Sequence, residues 1–185
     1  MQQEIRPIET LECLLLGEEP LAQRCAEVLL ERGHRIVALV TNTQALETWA
    51  RDNGIPTLTR SSYTTQLDRF TFDVLLSITH PALISPATIK HAKLAAINYH
   101  DGPLPRYAGM NGSAWALHNG ESSHAIVWHH ITAGLDEGDI LERRDVKFEP
   151  RETSLSLNMK NSALALESFH QVVVRLETRA LSGTA

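Results

Sequence analysis

The chain contains only two cysteines, Cys13 and Cys25, among 185 residues. Two cysteines are too few for the disulfide framework of a small secreted domain. Each lies in an apolar run, so both are predicted to be buried, reduced thiols. No apolar run reaches membrane-spanning length, and residues 1–7 lack the apolar core of a secretory signal. These absences predict a protein of the reducing cytoplasm without a membrane partner.

Basic residues are also few. The chain has 17 Lys and Arg against 22 Asp and Glu, which gives a formal net charge of −5 at pH 7. Proteins that bind nucleic acids usually present a basic stripe to the phosphates, and the sequence has no such run. A nucleic-acid partner is therefore not expected. Hydrophobic content of 43% and charged content of 21% are typical of a globular domain, and residues 1–185 are predicted to form a single one.

The first third of the chain alternates between apolar runs and helical spacing. Residues 11–17 and 35–41 are short apolar runs of the kind found in buried strands. Residues 21–29 place apolar side chains at helical spacing, and residues 43–53 do so again. The resulting β-α-β-α order favours a parallel sheet with right-handed crossovers.

The rest of the chain continues this pattern. Further strands are predicted at 56–58, 73–79, 94–99, 125–131 and 140–148, and helices at 86–91, 111–119 and 153–181. Residues 59–68 remain open between helix and loop, and residues 182–185 are predicted to be a tail. Trp115 and Trp128 are predicted to pack in the core, with the alternative that one of them borders the substrate site. The predicted fold class is α/β, a Rossmann-like, doubly wound and mostly parallel sheet flanked by helices, with a long C-terminal helix.

The first strand is followed by Gly17-Glu-Glu-Pro20. A dinucleotide fingerprint needs two further glycines here, so that the backbone can approach a pyrophosphate. Two carboxylates at this turn would also repel phosphate. A nicotinamide or flavin dinucleotide is therefore not expected, and the sequence has no P-loop.

Three polar residues near strand ends suggest a catalytic site. Asn98 and His100 end a predicted strand, and their separation of two places both side chains on one face. Asp136 lies between Gly134 and Gly138, 38 positions after Asn98. The Asn amide can donate to an oxygen that gains negative charge, the His can move a proton, and the Asp can select its tautomer and stabilise its protonated form. These roles suit acyl transfer to an amine. Each residue also has a purely structural alternative: His100 as a buried histidine, Asp136 as a turn residue and Asn98 as a hydrogen-bonding residue at the strand end.

A group of histidines close in sequence raises the question of a metal site, but we do not expect one. His118, His124, His129 and His130 are close in sequence, but the last two are adjacent in a strand and so face opposite sides. No zinc-ligand spacing is present. Either His129 or His130 is an alternative candidate for the cleft lining, but for both residues we favour packing in the core or contact with solvent.

Two segments resemble the folate-dependent formyltransferase family, and the resemblance extends over nearly the whole chain. They are Asn98-Tyr-His100 with Pro105 and Gly109, and Gly134-Leu-Asp136-x-Gly138-Asp-Ile-Leu. The resemblance implies 10-formyltetrahydrofolate as the formyl donor and Asn98, His100 and Asp136 as the catalytic residues.

The resemblance also implies where the reduced folate binds. Its pterin ring would lie against backbone groups of two segments, with Leu83 and Leu135 flanking the ring. The residues concerned are His80, Pro81, Ala82, Leu83 and Ile84, followed by Thr132, Ala133, Gly134 and Leu135.

The chain departs from the family pattern after His100. Relatives often have Ser-Leu-Leu-Pro there, whereas this chain has Asp101-Gly-Pro-Leu-Pro105. The added carboxylate of Asp101 could attract a cationic amine acceptor.

The identity of the amine acceptor is the least determined part of the prediction. Methionyl-tRNA formyltransferases carry an additional C-terminal domain, so a tRNA acceptor is not expected. Residues 98–109 and 152–160 are most similar to formylation domains of nonribosomal peptide synthetases, which formylate the α-amine of an aminoacyl group on a peptidyl carrier protein. A nucleotide-amino-sugar N-formyltransferase, a formyl hydrolase and a non-catalytic folate- or carrier-binding docking module are the alternatives. The oligomeric state is not predicted.

Overall fold

The computed structural model describes residues 10–184, so the predicted absence of a signal at residues 1–7 lies outside the described part. The described residues form seven strands, six α-helices and one 3-10 turn. In chain order they are β1 Glu12–Gly17, α1 Pro20–Glu31, β2 Arg35–Val40, α2 Gln44–Asp52, β3 Thr57–Leu58, α3 Tyr63–Gln66, the 3-10 turn Leu67–Arg69, β4 Phe72–Ile78, α4 Pro86–His91, β5 Ala92–His100, α5 Gly112–His118, β6 Ser123–His130, β7 Ile140–Lys147 and α6 Ser154–Thr178.

The seven strands form one mixed sheet in the order β3-β2-β1-β4-β5-β6-β7. Strands β3, β2, β1, β4 and β5 are parallel, whereas β6 is antiparallel to β5 and β7 is antiparallel to β6. This confirms the predicted α/β class with a mostly parallel sheet. Strand β1 is buried along almost its whole length, as expected for a parallel strand covered on both faces.

Helix α6 covers one face of the sheet. The Thr153 hydroxyl accepts from the Ser156 amide, and the Ser156 side chain accepts from the Thr153 amide, so a capping box fixes the start of the helix. Phe169 packs against Trp128 of β6 with ring centroids 5.1 Å apart. The Trp128 indole N–H donates to Ser168 Oγ at 3.0 Å, which satisfies the polar atom of a fully buried ring. The long C-terminal helix is therefore confirmed, although it ends three residues before the predicted limit.

Both thiols are buried, as predicted. Burial raises the pKa of Cys13 to about 12, with smaller contributions from the negative charges of Asp73 and Glu12. Burial likewise raises the pKa of Cys25. Both side chains are therefore protonated at neutral pH and pack as small apolar groups. Within residues 10–184, no helix combines the length and the apolar character needed to cross a membrane.

Two sequence predictions were wrong, and one open segment is resolved. Thr184 pairs with Ile140 in an antiparallel bridge, so the end of the described chain adds to the sheet edge instead of forming a free tail. Trp115 lies on the short helix α5 and is 55% exposed, so it does not pack in the core. Residues 59–68 contain the short helix α3 and the start of the 3-10 turn.

The sheet places the predicted site at one edge. The carboxyl ends of β1, β4 and β5 meet there because the three strands are parallel and adjacent. Strand β6 is antiparallel to β5, and in this pairing His129 of β6 lies opposite Asn98 of β5. The loop between β6 and β7 then returns over the end of β5 and carries Asp136.

Candidate active site

A cleft of about 600 Å³ lies beyond the carboxyl ends of β4 and β5. All of the residues proposed from the sequence as catalytic or folate-binding line this cleft. Asn98, His100 and Asp136 are among these lining residues. The 80–84 segment, which follows β4, and the 132–135 segment, which precedes Asp136, also line it and are called its pterin end.

The orientation of His100 is set by a backbone carbonyl. Its Nε2 donates to the carbonyl oxygen of Tyr107 at 2.6 Å, and the ring is only 6% exposed. Nδ1 is therefore the nitrogen that keeps a lone pair, and it lies 3.5 Å from Asp136 Oδ2. Gly102 leaves room for this arrangement, since a Cβ there would lie 3.0 Å from His100 Nε2. The sequence assigned the choice of tautomer to Asp136, whereas the structure assigns it to the Tyr107 carbonyl.

Asp136 lies between two imidazole rings. Its Oδ2 accepts from the Gly109 amide at 2.8 Å, and its Oδ1 lies 3.5 Å from His129 Nε2. Burial acts to raise the pKa of Asp136, but the contact with His129, the hydrogen bond from the Gly109 amide and the nearby imidazoles outweigh it and hold the pKa below the ordinary value. The side chain is therefore a carboxylate at neutral pH and can stabilise a proton on His100 Nδ1.

The conformation of the β6–β7 loop explains why a glycine, Gly138, stands two residues after Asp136. Asp136 itself adopts the left-handed conformation, with φ of 52°. A Cβ on Gly138 would lie 1.8 Å from the carbonyl oxygen of His130, so only glycine lets the loop approach the end of β6 this closely. The close approach holds the Asp136 carboxylate over β5.

His129 belongs to the site, which corrects the expectation that core packing or solvent contact is favoured. Its Nδ1 donates to the carbonyl oxygen of His130 at 2.9 Å, so Nε2 is left to accept from Asn98 Nδ2 at 3.1 Å. His130 faces the other side of the sheet, as predicted, and its Nε2 contacts the Leu181 carbonyl oxygen at 2.8 Å. The signal that was missed is strand pairing, because the antiparallel register places His129 beside Asn98.

The end of the cleft predicted to hold a pterin ring combines apolar side chains with a neutral histidine. Leu83 is 76% exposed and Leu135 is 51% exposed, so both are available to a ligand. Burial lowers the pKa of His80 to about 4; the negative charge of Glu18 opposes this effect and the positive charge of Arg60 adds to it. The ring is therefore neutral at pH 7. The Ser85 hydroxyl accepts from the Thr88 amide at 3.1 Å and fixes the start of α4 just after this segment.

A second part of the lining, called the polar end, consists of polar side chains and was largely missed from the sequence. Helices α5 and α6 contribute Ser113, Asn158, Asn161 and Ser162 to its lining, next to Asp101. Their side chains meet there only because α6 crosses α5, and nothing in local sequence spacing indicates this. Within the described part of the chain, no group of three or more His, Cys, Asp or Glu side chains is placed to hold a metal ion.

Comparison with known proteins gives a consistent result. Residues 13–173 match the family model described as Formyl transferase. A methionyl-tRNA formyltransferase of Geobacter metallireducens is 26% identical over 189 residues, which cover 93% of this chain and 61% of that protein. A GDP-perosamine N-formyltransferase of Brucella melitensis is 31% identical over 105 residues, which cover 57% of this chain and 40% of that protein. The chain thus spans only part of the length of the curated relatives that it matches.

A solved structure shares the fold. The sugar 3N-formyltransferase WlaRD, crystallised in the presence of dTDP and 5-N-formyl-THF, aligns with a TM-score of 0.76 at 18% identity. The alignment covers 95% of this chain and 66% of that chain. At this level of identity, the similarity establishes a common architecture.

Proposed function

Because the chain belongs to the formyl transferase family, we propose that it transfers a formyl group from 10-formyltetrahydrofolate to a primary amine. The observation that carries the proposal is the convergence of Asn98, His100 and Asp136 in one cleft. The 3.5 Å separation of His100 Nδ1 from Asp136 Oδ2 gives a proton acceptor next to a fixed negative charge.

The proposed reaction has two steps and needs no covalent enzyme intermediate. The amine nitrogen attacks the formyl carbon, the carbonyl electron pair moves to the formyl oxygen, and His100 Nδ1 takes a proton from the attacking nitrogen. The bond between the formyl carbon and N10 of the folate then breaks, the carbonyl re-forms, and N10 receives the proton from His100. The formamide and tetrahydrofolate are the products.

Asn98 has one donor available for this reaction. A primary amide carries two N–H groups, and one of them is held by His129 Nε2. The other can donate to the formyl oxygen as it gains negative charge. One such donor contributes about 10²- to 10³-fold to the rate in comparable acyl-transfer sites.

We propose the α-amine of an aminoacyl group on a carrier protein as the acceptor. Four large apolar side chains on and beside α5 and on the first turns of α6 are more than half exposed: Met110, Trp115, Leu155 and Met159. Met110 lines the cleft, and Leu155 and Met159 are one helical turn from Asn158 and Ser162, which also line it. Exposed apolar side chains grouped at a cleft mouth favour a protein partner.

A nucleotide-linked amino sugar is the second candidate acceptor. It is favoured by the similarity to GDP-perosamine N-formyltransferase. The architecture shared with a sugar formyltransferase supports the same candidate. A non-catalytic docking module remains the alternative of another class.

Mass spectrometry of acceptors tests the proposed function. The purified protein is incubated with 10-formyltetrahydrofolate and either aminoacylated carrier proteins or nucleotide-linked amino sugars. We expect one acceptor class to gain the mass of a single formyl group. Formate release without any amine would indicate a hydrolase. Folate binding without turnover on any acceptor would indicate the docking module, and absence of folate binding by calorimetry would contradict the proposal.

His129 is proposed to position Asn98, and a pair of substitutions tests this. Replacing His129 by Phe removes a hydrogen bond of about 1 to 1.5 kcal/mol, which predicts an approximately tenfold lower kcat with little change in folate affinity. His129→Gln should keep more activity, since its amide oxygen can accept from Asn98.

The neighbouring histidine supplies the control for this prediction. His130→Phe makes the same change one residue away, on the opposite face of β6. Its kcat should remain close to that of the unaltered protein. Equal losses in both Phe variants would show that His129 acts on stability alone.

A further inference from the structure

The polar end of the cleft contains a buried hydrogen-bond acceptor without a partner. Asn161 is only 1% exposed, and its Nδ2 donates to Ser113 Oγ at 3.0 Å. Its Oδ1 is buried and accepts no hydrogen bond from the described residues. Leaving such an acceptor unpaired destabilises the free protein, so a ligand that supplies a donor removes this cost.

The hydrogen bonds of Ser113 determine which atom of Asn161 is left over. Ser113 Oγ lies 3.5 Å from Asp101 Oδ2. A carboxylate can only accept, so the hydroxyl proton of Ser113 points to Asp101. The hydroxyl oxygen must then accept from the Asn161 amide nitrogen. Asn161 therefore retains an unpaired acceptor oxygen, and the residue is one of those that line the cleft.

Asp101 brings negative charge to the same end. Burial raises the pKa of Asp101, although the nearby imidazoles of His100 and His124 oppose this effect. Glu19 and Asp136 are the other carboxylates of the lining, and none of the described lining residues is Lys or Arg. The cleft thus offers acceptor oxygens and negative charge, and it has no permanent side-chain cation for a phosphate or carboxylate.

We propose that this polar end, formed by Asp101, Ser113 and Asn161, is the acceptor subsite and receives a primary ammonium group. Asp101 attracts the ammonium by charge, and Asn161 Oδ1 accepts one of its N–H groups. The inference rests on the proposed function and specifies its substrate class. The acceptor is an amine with no anionic group near the nitrogen, as in an aminoacyl ester, thioester or amide or in an amino sugar. Free amino acids and amines with a nearby phosphate are disfavoured.

The subsite also explains how the amine would meet the proton acceptor. Asp101 and His100 both line the cleft and are close enough for their charges to interact, so an ammonium bound at Asp101 is near the ring. The bound ammonium first loses one proton to solvent, which leaves the neutral, nucleophilic amine. On attack, His100 Nδ1 takes a second proton and later passes it to N10 of the folate. Of the three N–H groups of a primary ammonium, the last remains on the nitrogen of the formamide.

Calorimetry with small amines tests the subsite directly. The protein is first saturated with 5-formyltetrahydrofolate, in which the formyl group is on N5, and is then titrated with valinamide or methyl glucosaminide as probes. We expect Asp101→Asn to weaken the binding of the preferred probe at least tenfold and Asn161→Leu to weaken it severalfold. Valine, which adds a carboxylate, should bind at least tenfold more weakly than valinamide. Tighter binding of valinamide would indicate an aminoacyl acceptor, and tighter binding of methyl glucosaminide would indicate an amino-sugar acceptor.

Two controls make the result decisive. Asp145→Asn removes the same charge from an exposed position on β7 and should leave amine binding unchanged. If Asp101→Asn does not fold, the salt dependence of valinamide binding in the unaltered protein replaces it, since a charge pair weakens as ionic strength rises. Failure of 5-formyltetrahydrofolate to bind would overturn the proposed function. If the folate analogue binds but the affinity for amines is the same in Asp101→Asn, or does not fall as ionic strength rises, the subsite is overturned and the proposed function is not.

Discussion

His100→Ala is expected to lower kcat for formyl transfer by about 10²- to 10⁴-fold, the usual contribution of a positioned general acid and base. The reason is that Nδ1 of this ring is the proposed proton carrier, and the adjacent Asp136 carboxylate has no proton to give at neutral pH. Folate affinity should change little, because the segments proposed to hold the pterin are separate from this ring. Single-turnover kinetics with saturating donor would measure the loss in the chemical step.

Three measurements distinguish a loss of catalysis in His100→Ala from a loss of folding. His170→Ala removes an exposed histidine of α6 and should keep full activity. Added imidazole should restore part of the activity of His100→Ala, since the substitution leaves a space beside Asp136. Thermal unfolding reports the cost of losing the bond to the Tyr107 carbonyl. A variant that folds, binds folate and retains most of its turnover would remove His100 from the mechanism.

Much of the fold could be predicted because it depends on local patterns. The apolar runs of β1 and β2 and the helical spacing between them are sequence properties, and they give the parallel half of the sheet. Asn98 and His100 could be placed on one face for the same reason, since side chains in a strand alternate with a period of two. Asp136 was singled out by its glycine-flanked loop and by family resemblance, since its distance from Asn98 in sequence says nothing about their distance in space.

The parts that escaped prediction depend on contacts between distant segments. Trp115 and Trp128 are the same residue type, and only the covering by α6 makes one exposed and the other buried. The role of His129 follows from the β5–β6 register, and that of Asn161 from the crossing of two helices. The Tyr107 carbonyl that orients His100 belongs to the backbone, which carries no residue-specific signal at all.

Asp136→Asn is expected to lower kcat by about 10²-fold or more while leaving the volume of the side chain unchanged. The carboxylate stabilises the protonated form of His100, and a neutral amide cannot. The amide nitrogen can also donate to the lone pair on His100 Nδ1, which would occupy the atom proposed to accept the proton. Asp139→Asn, in the same loop but exposed, is the matched control and should retain its rate.

The same substitution has a pH signature in the stability of the fold. The folded-state pKa of Asp136 lies below its ordinary value of 3.8, so the carboxylate stabilises the folded protein at pH values above that ordinary value. The stabilisation is lost as the pH falls through the lower, folded-state pKa. Denaturant unfolding at several pH values should therefore show Asp136→Asn less stable than the unaltered protein at neutral pH, with the gap closing in acid. A gap that stays constant with pH, or a variant with full activity, would mean that the carboxylate is not engaged with the two imidazoles as the geometry indicates.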